Sequence, residues 1–197
     1  MIAWSLDACL ACEAVAGVVV AVPGGHEHGL DGLDRVRTVD GGSTRAESVA
    51  NALGAVDTEY VAIHDAARPL VSPKLLQDLV SALAANPDAD GAIAAAPVTD
   101  TVKKVRGRLR SPDDPDVPCV IDETLDRSEL WGAQTPQVFR TAALRAALDA
   151  HEAATDEAML VEAAGGKVLI HHSAAPNLKV TTPLDLRVAE LLLAERG

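Results

Sequence analysis

At 197 residues the chain suffices for one domain with a full core, and 48% hydrophobic residues can fill one, although aromatics make up only 2%. A net charge of −12 excludes a general nucleic-acid surface, which needs a basic footprint, but not a small anionic ligand gripped by a few converging Arg and Lys. No apolar run reaches the length of a membrane span, no charged-then-apolar leader opens the sequence, and three cysteines fit a reducing cytoplasm.

In chain order, Ile2 to Leu10 carries apolar residues at helical spacing with nothing before it to cap the helix. Val18 to Val22 is a β-branched run closed by Pro23-Gly24-Gly25, the pattern of a strand buried on both faces. A Gly- and His-rich loop (Gly24 to Asp34) leads to a short strand at Val36 to Val39. Thr44 and Glu47 then read as a capping box opening a helix to about Leu53. Tyr60 to Ile63 is a third strand. Ser72 and Pro73 start a helix whose inner face is Leu75, Leu76, Leu79, Val80 and Leu83.

Gly91 to Ala96 is a fourth apolar run, and strands alternating with helices at this spacing predict a mostly parallel sheet with right-handed crossovers. The rhythm breaks between Pro97 and Pro136, where basic residues from Lys103 to Arg110, a Pro/Asp cluster and an extended stretch at Val117 to Leu125 read as an antiparallel arm. Such an arm cannot bury its own apolar face, so it calls for a partner chain. Helices follow at Thr141 to His151 and Asp156 to Ala164, then a strand at Lys167 to His171. The last helix opens on Thr182-Pro183, with Asp185 completing a capping box. With no repeat and no linker, residues 1–197 form a single domain with an arm at about 98–135.

Several tempting features carry structural readings instead. Cys9-x-x-Cys12 lies on an amphipathic helix without a second pair, so small core residues are the better reading than zinc or redox chemistry. His26-x-His28 and His171-His172 lack a third converging ligand and read as solvated, as does the Lys103 to Arg110 cluster at the arm's tip. Trp4 and Trp131 read as core or arm packing.

The chemistry concentrates where strands end, the place where open α/β sheets bind ligands. Gly41-Gly42-Ser43 joins a strand to a helix N-terminus, where backbone N–H groups and the helix dipole favour electron-rich groups, and Ser48 lies one turn on. Asp65 follows a strand and can bind a ribose or polyol hydroxyl, or a water of hydrated Mg²⁺; Arg68 either faces a ligand or pairs with Asp65. Arg127 in the arm and Lys179 after the last strand add permanent cations.

These segments, in this order, resemble 2-C-methyl-D-erythritol 4-phosphate cytidylyltransferases over nearly the whole chain. The stretches that carry the resemblance are M-I-A-W-S-L, V-D-G-G-S-T-R-A-E-S-V, V-A-I-H-D-A-A-R-P-L-V, A-A-P-V-T-D-T-V-K, T-L-D-R-S-E-L-W-G-A-Q-T-P-Q-V-F, A-T-D-E-A and N-L-K-V-T-T-P-L-D-L. The resemblance implies a Rossmann-like α/β fold with a dimerisation arm, and cytidylyl transfer from CTP to methylerythritol phosphate with Mg²⁺ and release of pyrophosphate. It implies that Gly42, Ser43, Ser48 and Asp65 meet the nucleotide, with Asp65 the candidate metal contact, and that Arg68 serves the acceptor side. Thr101, Thr135 and Thr155 would hold the acceptor with the catalytic cations Arg127 and Lys179. Thr101 and Arg127 would serve the neighbouring protomer's site.

The chain departs from that family at its start, where the family has a strand, a G-x-G-x-R loop and a following P-K that wrap the triphosphate. The reading expects about 20 to 30 residues of this type to be encoded upstream in frame, ahead of a misplaced start. Without them the sheet would keep two neighbours with unpaired edges, and activity of the short chain would be in doubt. Pro176 stands where the family often has an acidic residue. A ribitol- or other polyol-phosphate cytidylyltransferase and a non-catalytic dimer partner are the rival readings; a dehydrogenase is disfavoured because no G-x-G-x-x-G opens a βα unit.

Overall fold

A computed structural model of the chain describes residues 1–25, 29–30, 32–106, 119–150, 155–173 and 176–195. His26, His28 and the arm's Pro/Asp cluster at 111–118 lie outside the described residues. The helices form where caps and apolar periodicity place them: α1 (Ile2–Leu10), α2 (Arg45–Leu53), α3 (Pro73–Ala84), α4 (Thr141–Ala150), α5 (Glu157–Ala163) and α6 (Pro183–Ala194). Ser72, Asp156 and Thr182 each accept a backbone N–H at a helix start, and at Thr182 the box is completed by Asp185. That network of backbone and hydroxyl donors from Thr181 and Thr182 drives the Asp185 carboxyl down to about 2. Met1 offers α1 no side-chain cap.

The strands are β1 (Val18–Val22), β2 (Val36–Asp40), β3 (Tyr60–Ile63), β4 (Gly91–Pro97), β5 (Lys103–Arg106), β6 (Val120–Thr124), β7 (Trp131–Arg140) and β8 (Val168–His172). The main sheet has the order β3-β7-β4-β8. β4 and β8 are parallel, and β7 runs against both β3 and β4. Strands β3, β4 and β8 therefore point one way and β7 alone is reversed, giving a mixed α/β fold with mostly parallel strand directions.

Side-chain alternation along the central strands divides the core into two layers. Ala92, Ala94 and Val138 face Leu79 and Leu83 of α3. Ile93 and Phe139 face Leu144 and Ala147 of α4 and Leu160 and Val161 of α5. The alanines let α3 lie close on the sheet, which explains how a chain so poor in aromatics still closes its core. Gly91 is required by the one phenylalanine: a Cβ there would sit 2.5 Å from the Phe139 ring.

β7 is the element that sequence reasoning missed. Pro136 lies in its middle, and a proline argues against a central strand because it cannot donate to the ladder. The structure accommodates it in an irregularity: Ile93 faces Gln137 and Ala95 faces Ala133, so Gln134 to Pro136 oppose the single residue Ala94. This bulge displaces Gln134 and Thr135 towards the carboxyl end of β3.

β1 and β2 form a separate parallel pair. α1 packs on it through Leu6 and Ile2, and Cys12 joins Val71 and Leu76 in a neighbouring core. Burial, and secondarily the proximity of Cys12, pushes the Cys9 thiol up to about 11, as befits an inert core cysteine. Contrary to the expectation of a strand buried on both faces, Val18 to Ala21 are only half-buried, because β1 borders an open cavity rather than another strand. Trp4 and Trp131 also depart from the packed reading, at 51% and 39% exposed; Trp131 meets His172 edge-on at 5.5 Å.

The expected arm is an exposed antiparallel ribbon of β5 and β6. Its described basic residues are paired across the ladder: Lys103 donates to Thr124, and Lys104 and Arg106 meet Glu123 and Asp122, while Arg108 and Arg110 lie outside the described residues.

Candidate functional site

Three chain segments meet at the carboxyl end of β3. The first is the turn from β2 into α2. Gly42 is placed so that a Cβ would fall 2.1 Å from the Glu47 Cβ, so only glycine fits. Its N–H donates to Ser48 Oγ at 3.0 Å, and that hydroxyl donates to the Thr44 carbonyl. Thr44 caps Glu47 N–H as expected, but the Glu47 carboxylate closes chiefly on the N–H and hydroxyl of Ser43. Those Ser43 bonds hold the Glu47 carboxyl below its ordinary range. The hydroxyls of Ser43 and Ser48 thus shape the turn.

The second segment is His64-Asp65 with Arg68. Thr135, delivered by the β7 bulge, accepts the Asp65 N–H at 3.0 Å and bonds His64 Nδ1 at 3.1 Å, while His64 Nε2 lies 3.2 Å from the Arg68 carbonyl. These partners fit a neutral ring with its proton on Nε2. Burial lowers the His64 pKa to about 4, against the opposing pull of the Arg68 carbonyl and Asp65. The Arg68 guanidinium donates to the Asn177 carbonyl at 2.8 Å, and its Nε is buried without a partner. Burial draws its pKa down, partly offset by Asp65. The direct Arg68–Asp65 pair weighed from the sequence gives way to other partners for that carboxylate.

Those partners define the site's charge. Asp65 accepts from Lys179 Nζ at 2.8 Å on one oxygen and from Arg45 Nε at 3.2 Å on the other. Arg45 also makes a two-pronged pair with Glu157, at 2.7 and 2.9 Å, and the Glu157 side chain is only 3% exposed. For Asp65, burial alone would raise the pKa; the Lys179 bond and the Arg45 charge outweigh it and hold the carboxyl below its usual range. For Arg45, burial pulls down and Glu157 with Asp65 overcomes it, so the guanidinium is held charged. The third segment, after β8, is fixed by Asn177, whose amide donates to Gln134 and to the Thr135 carbonyl.

Ser48, Asp65 and Lys179 therefore line one cavity of about 610 Å³, together with Arg45 and His64. Gly42, Ser43, Arg68 and Thr135 attach to it through the bonds above. Thr101, Arg127 and Thr155 are not among its lining residues. Arg127 donates to the Thr99 carbonyl at the root of the arm, and the Thr155 hydroxyl faces Met159 Sδ at 3.7 Å. Arg45 and Glu157 were missed as functional residues although both lie inside quoted motifs, G-G-S-T-R-A-E-S-V and A-T-D-E-A. The signal was a buried-side carboxylate just past the N-cap Asp156, with a lone arginine in the first turn of α2.

No group of three or more His, Cys, Asp or Glu able to hold a metal occurs among the described residues. Lys179 and Arg45 bring two fixed cations to one mouth, each balanced here by Asp65 or Glu157, so an anionic ligand would bind by exchanging with those carboxylates.

Comparison with known proteins agrees with this geometry. The family model for 2-C-methyl-D-erythritol 4-phosphate cytidylyltransferase (IspD) matches residues 1–195. A protein of that name from Bordetella petrii is 43% identical over 201 residues, covering 96% of this chain and 84% of its own. The bifunctional enzyme IspD/IspF of Anaeromyxobacter dehalogenans is 46% identical over 93% of this chain, which spans 47% of that longer protein. Among solved structures, the cytidylyltransferase of Thermus thermophilus superposes with a TM-score of 0.79 at 34% identity, covering 96% of this chain and 86% of that one. A structure described as 4-diphosphocytidyl-2C-methyl-D-erythritol synthase gives 0.81 at 34% identity, over 98% and 89%.

Proposed function

Because the chain belongs to the 2-C-methyl-D-erythritol 4-phosphate cytidylyltransferase family, we propose that it transfers a cytidylyl group from CTP to 2-C-methyl-D-erythritol 4-phosphate. A phosphate oxygen of the acceptor attacks the α-phosphorus of CTP, the bond to the bridging oxygen breaks, and pyrophosphate leaves with that electron pair. The product is the CDP-linked alcohol, an isoprenoid precursor of the non-mevalonate route. One observation carries the assignment to this site: the unbroken charge chain Lys179–Asp65–Arg45–Glu157 beside the Gly42 turn.

The attacking group is already an anion, so no general base is needed, and His64 held neutral is a structural partner rather than a proton acceptor. The barrier is the approach of two anions, which positioned cations lower. In this reading Lys179 and Arg127 position the acceptor phosphate, aided by Thr101, Thr135 and Thr155. Gly42, Ser43 and Ser48 surround the cytosine, while Asp65 and Arg68 lie at the ribose and acceptor side.

Mg²⁺ carried on nucleotide phosphates needs one or two protein carboxylates at most, and Asp65 is the one this chain would offer. Bound there, the ion would supply neutralisation of phosphate charge. The arm is the proposed seat of a homodimer in which Thr101 and Arg127 cross to the neighbour's site. Its exposed Val105, Val120 and Ile121 support that reading. A cytoplasmic location belongs to the same proposal and rests on three cysteines that fit a reducing compartment; no described helix is long and apolar enough to cross a membrane.

Pyrophosphate release from CTP with Mg²⁺ is the test, run with 2-C-methyl-D-erythritol 4-phosphate and with ribitol 5-phosphate as acceptors. Release should require the first acceptor and fall about 100-fold or more in Lys179→Ala. Equal turnover of ribitol phosphate would favour the polyol rival, and undiminished turnover in Lys179→Ala would remove the site from the chemistry.

A further inference from the structure

Lys179 is held by Asp65 at 2.8 Å, and the firmness of that hold depends on what else claims the carboxylate. The other claimant is Arg45, whose Nε reaches the second oxygen at the longer distance of 3.2 Å. Arg45 is itself divided. Both of its terminal nitrogens go to Glu157, at 2.7 and 2.9 Å, so only the Nε edge is left for Asp65. A planar guanidinium whose fork is taken in this way cannot turn the same fork to a second carboxylate.

Glu157 holds the fork because of where the fold puts it. Its side chain is 3% exposed against 16% for Asp65, so water screens its charge the less of the two. The first turn of α5 is pinned to β7 by the buried Gln137, which accepts the Ala158 N–H at 3.2 Å and donates to Asp156 at 3.0 Å. Arg45, Asp65 and Lys179 line the cavity, whereas Glu157 does not. Any influence of Glu157 on a ligand there must pass through its neighbours.

We propose that Glu157 is a positioning residue that sets the affinity of the site for a phosphate monoester, by governing through Arg45 how tightly Asp65 latches Lys179. The inference rests on the reading that Lys179 receives the acceptor phosphate. A phosphate entering the mouth must displace Asp65 from Lys179, so its apparent affinity is reduced by the fraction of molecules in which the latch is open. While Glu157 is charged, the fork of Arg45 is drawn away and Asp65 leans on Lys179. Without that charge the fork turns to Asp65, the latch loosens and the phosphate binds more tightly. The latch opposes acceptor and product alike, a uniform effect that raises KM rather than the chemical barrier.

Calorimetric titration of 2-C-methyl-D-erythritol 4-phosphate into the whole chain tests this. Glu157→Gln should bind it about threefold more tightly than the native chain, the scale of one partly exposed ion pair. Arg45→Lys should bind it about threefold more weakly, because an ammonium satisfies the buried Glu157 and leaves Asp65 wholly to Lys179. That variant keeps every charge, so it spares the fold, and a field acting through space would leave its affinity unchanged. In an Asp65→Asn background the gain from Glu157→Gln should vanish, since no latch remains to loosen. Persistence of the gain in that background, or native affinity in Arg45→Lys, would overturn the proposal. Lys179→Ala separates the inference from the reading beneath it. Binding lost in Lys179→Ala but unaltered in Glu157→Gln would refute the latch alone. Binding retained in full by Lys179→Ala would remove both.

Discussion

His64 is the residue whose environment makes the sharpest prediction. Its pKa falls from 6.5 to about 4 on folding. Between those values the unfolded chain binds a proton that the folded chain refuses, so the contribution to stability is fully present above pH 6.5 and is lost as pH falls towards 4. The loss should amount to about 3 kcal/mol. Urea unfolding from pH 7.5 down to 4.5 should show this slope in the native chain and a flatter one in His64→Gln. Parallel slopes would place the proton elsewhere. Asp65 behaves with the ordinary carboxylate sign: its pKa is depressed, so its share is held above the usual carboxylate range and lost in acid as Lys179 and Arg45 lose their partner. At this scale the sequence identified Asp65 and Lys179 from their places at strand ends. It could not reveal that they touch, because 114 residues separate them. Nor could it show that Asp65 chooses Arg45 over Arg68, three residues away, since that choice depends on where α2 begins.

At the scale of elements, the tie between α2 and α5 is the Arg45–Glu157 pair. Glu157→Gln keeps the shape but leaves a half-buried guanidinium short of its charge partner. The expected cost is about 1–3 kcal/mol, below that of a fully buried pair because Arg45 is 40% exposed. Chemical denaturation would measure it. If α2 merely rests there, stability should change by no more than a few tenths of a kcal/mol. Packing of α4 and α5 on the sheet depends in turn on Phe139 lying over Gly91. Gly91→Ala drives a methyl to 2.5 Å from that ring and should cost about 1–3 kcal/mol by the same measurement. Helices were legible because Ser72, Asp156 and Thr182 announce their starts in local chemistry. β7 was not, since Pro136 mimics a loop signal and only the tertiary bulge opposite Ala94 accommodates it. The omission mattered, for that bulge is what carries Thr135 to His64 and Asp65.

For the whole molecule, the alternation of strands and helices foretold the layered sheet and the missing first strand foretold two unpaired neighbours, while their identity as β1 and β3 among the described strands became visible only in three dimensions. The arm raises the remaining question of assembly. A two-stranded ribbon is marginal by itself, and this one exposes Val120 at 68% and Ile121 at 56% with no core of its own. A twofold partner covering that face would bring each Arg127 to the other protomer's acceptor site. Sedimentation should then report a dimer for the native chain and a monomer for the double variant V120D/I121D. A complementation experiment separates assembly from catalysis. Lys179→Ala and Arg127→Ala should each be inactive alone. In an equimolar mixture that exchanges subunits, half the molecules are heterodimers. If Arg127 acts across the interface, one of the two sites in each heterodimer contains both native cations, and the mixture should regain about a quarter of native activity. If Arg127 acts within its own chain, every site in every heterodimer lacks one cation and nothing returns. The contact of Arg127 with the Thr99 carbonyl keeps its base on the arm, so the outcome depends on where dimerisation carries the arm as a unit.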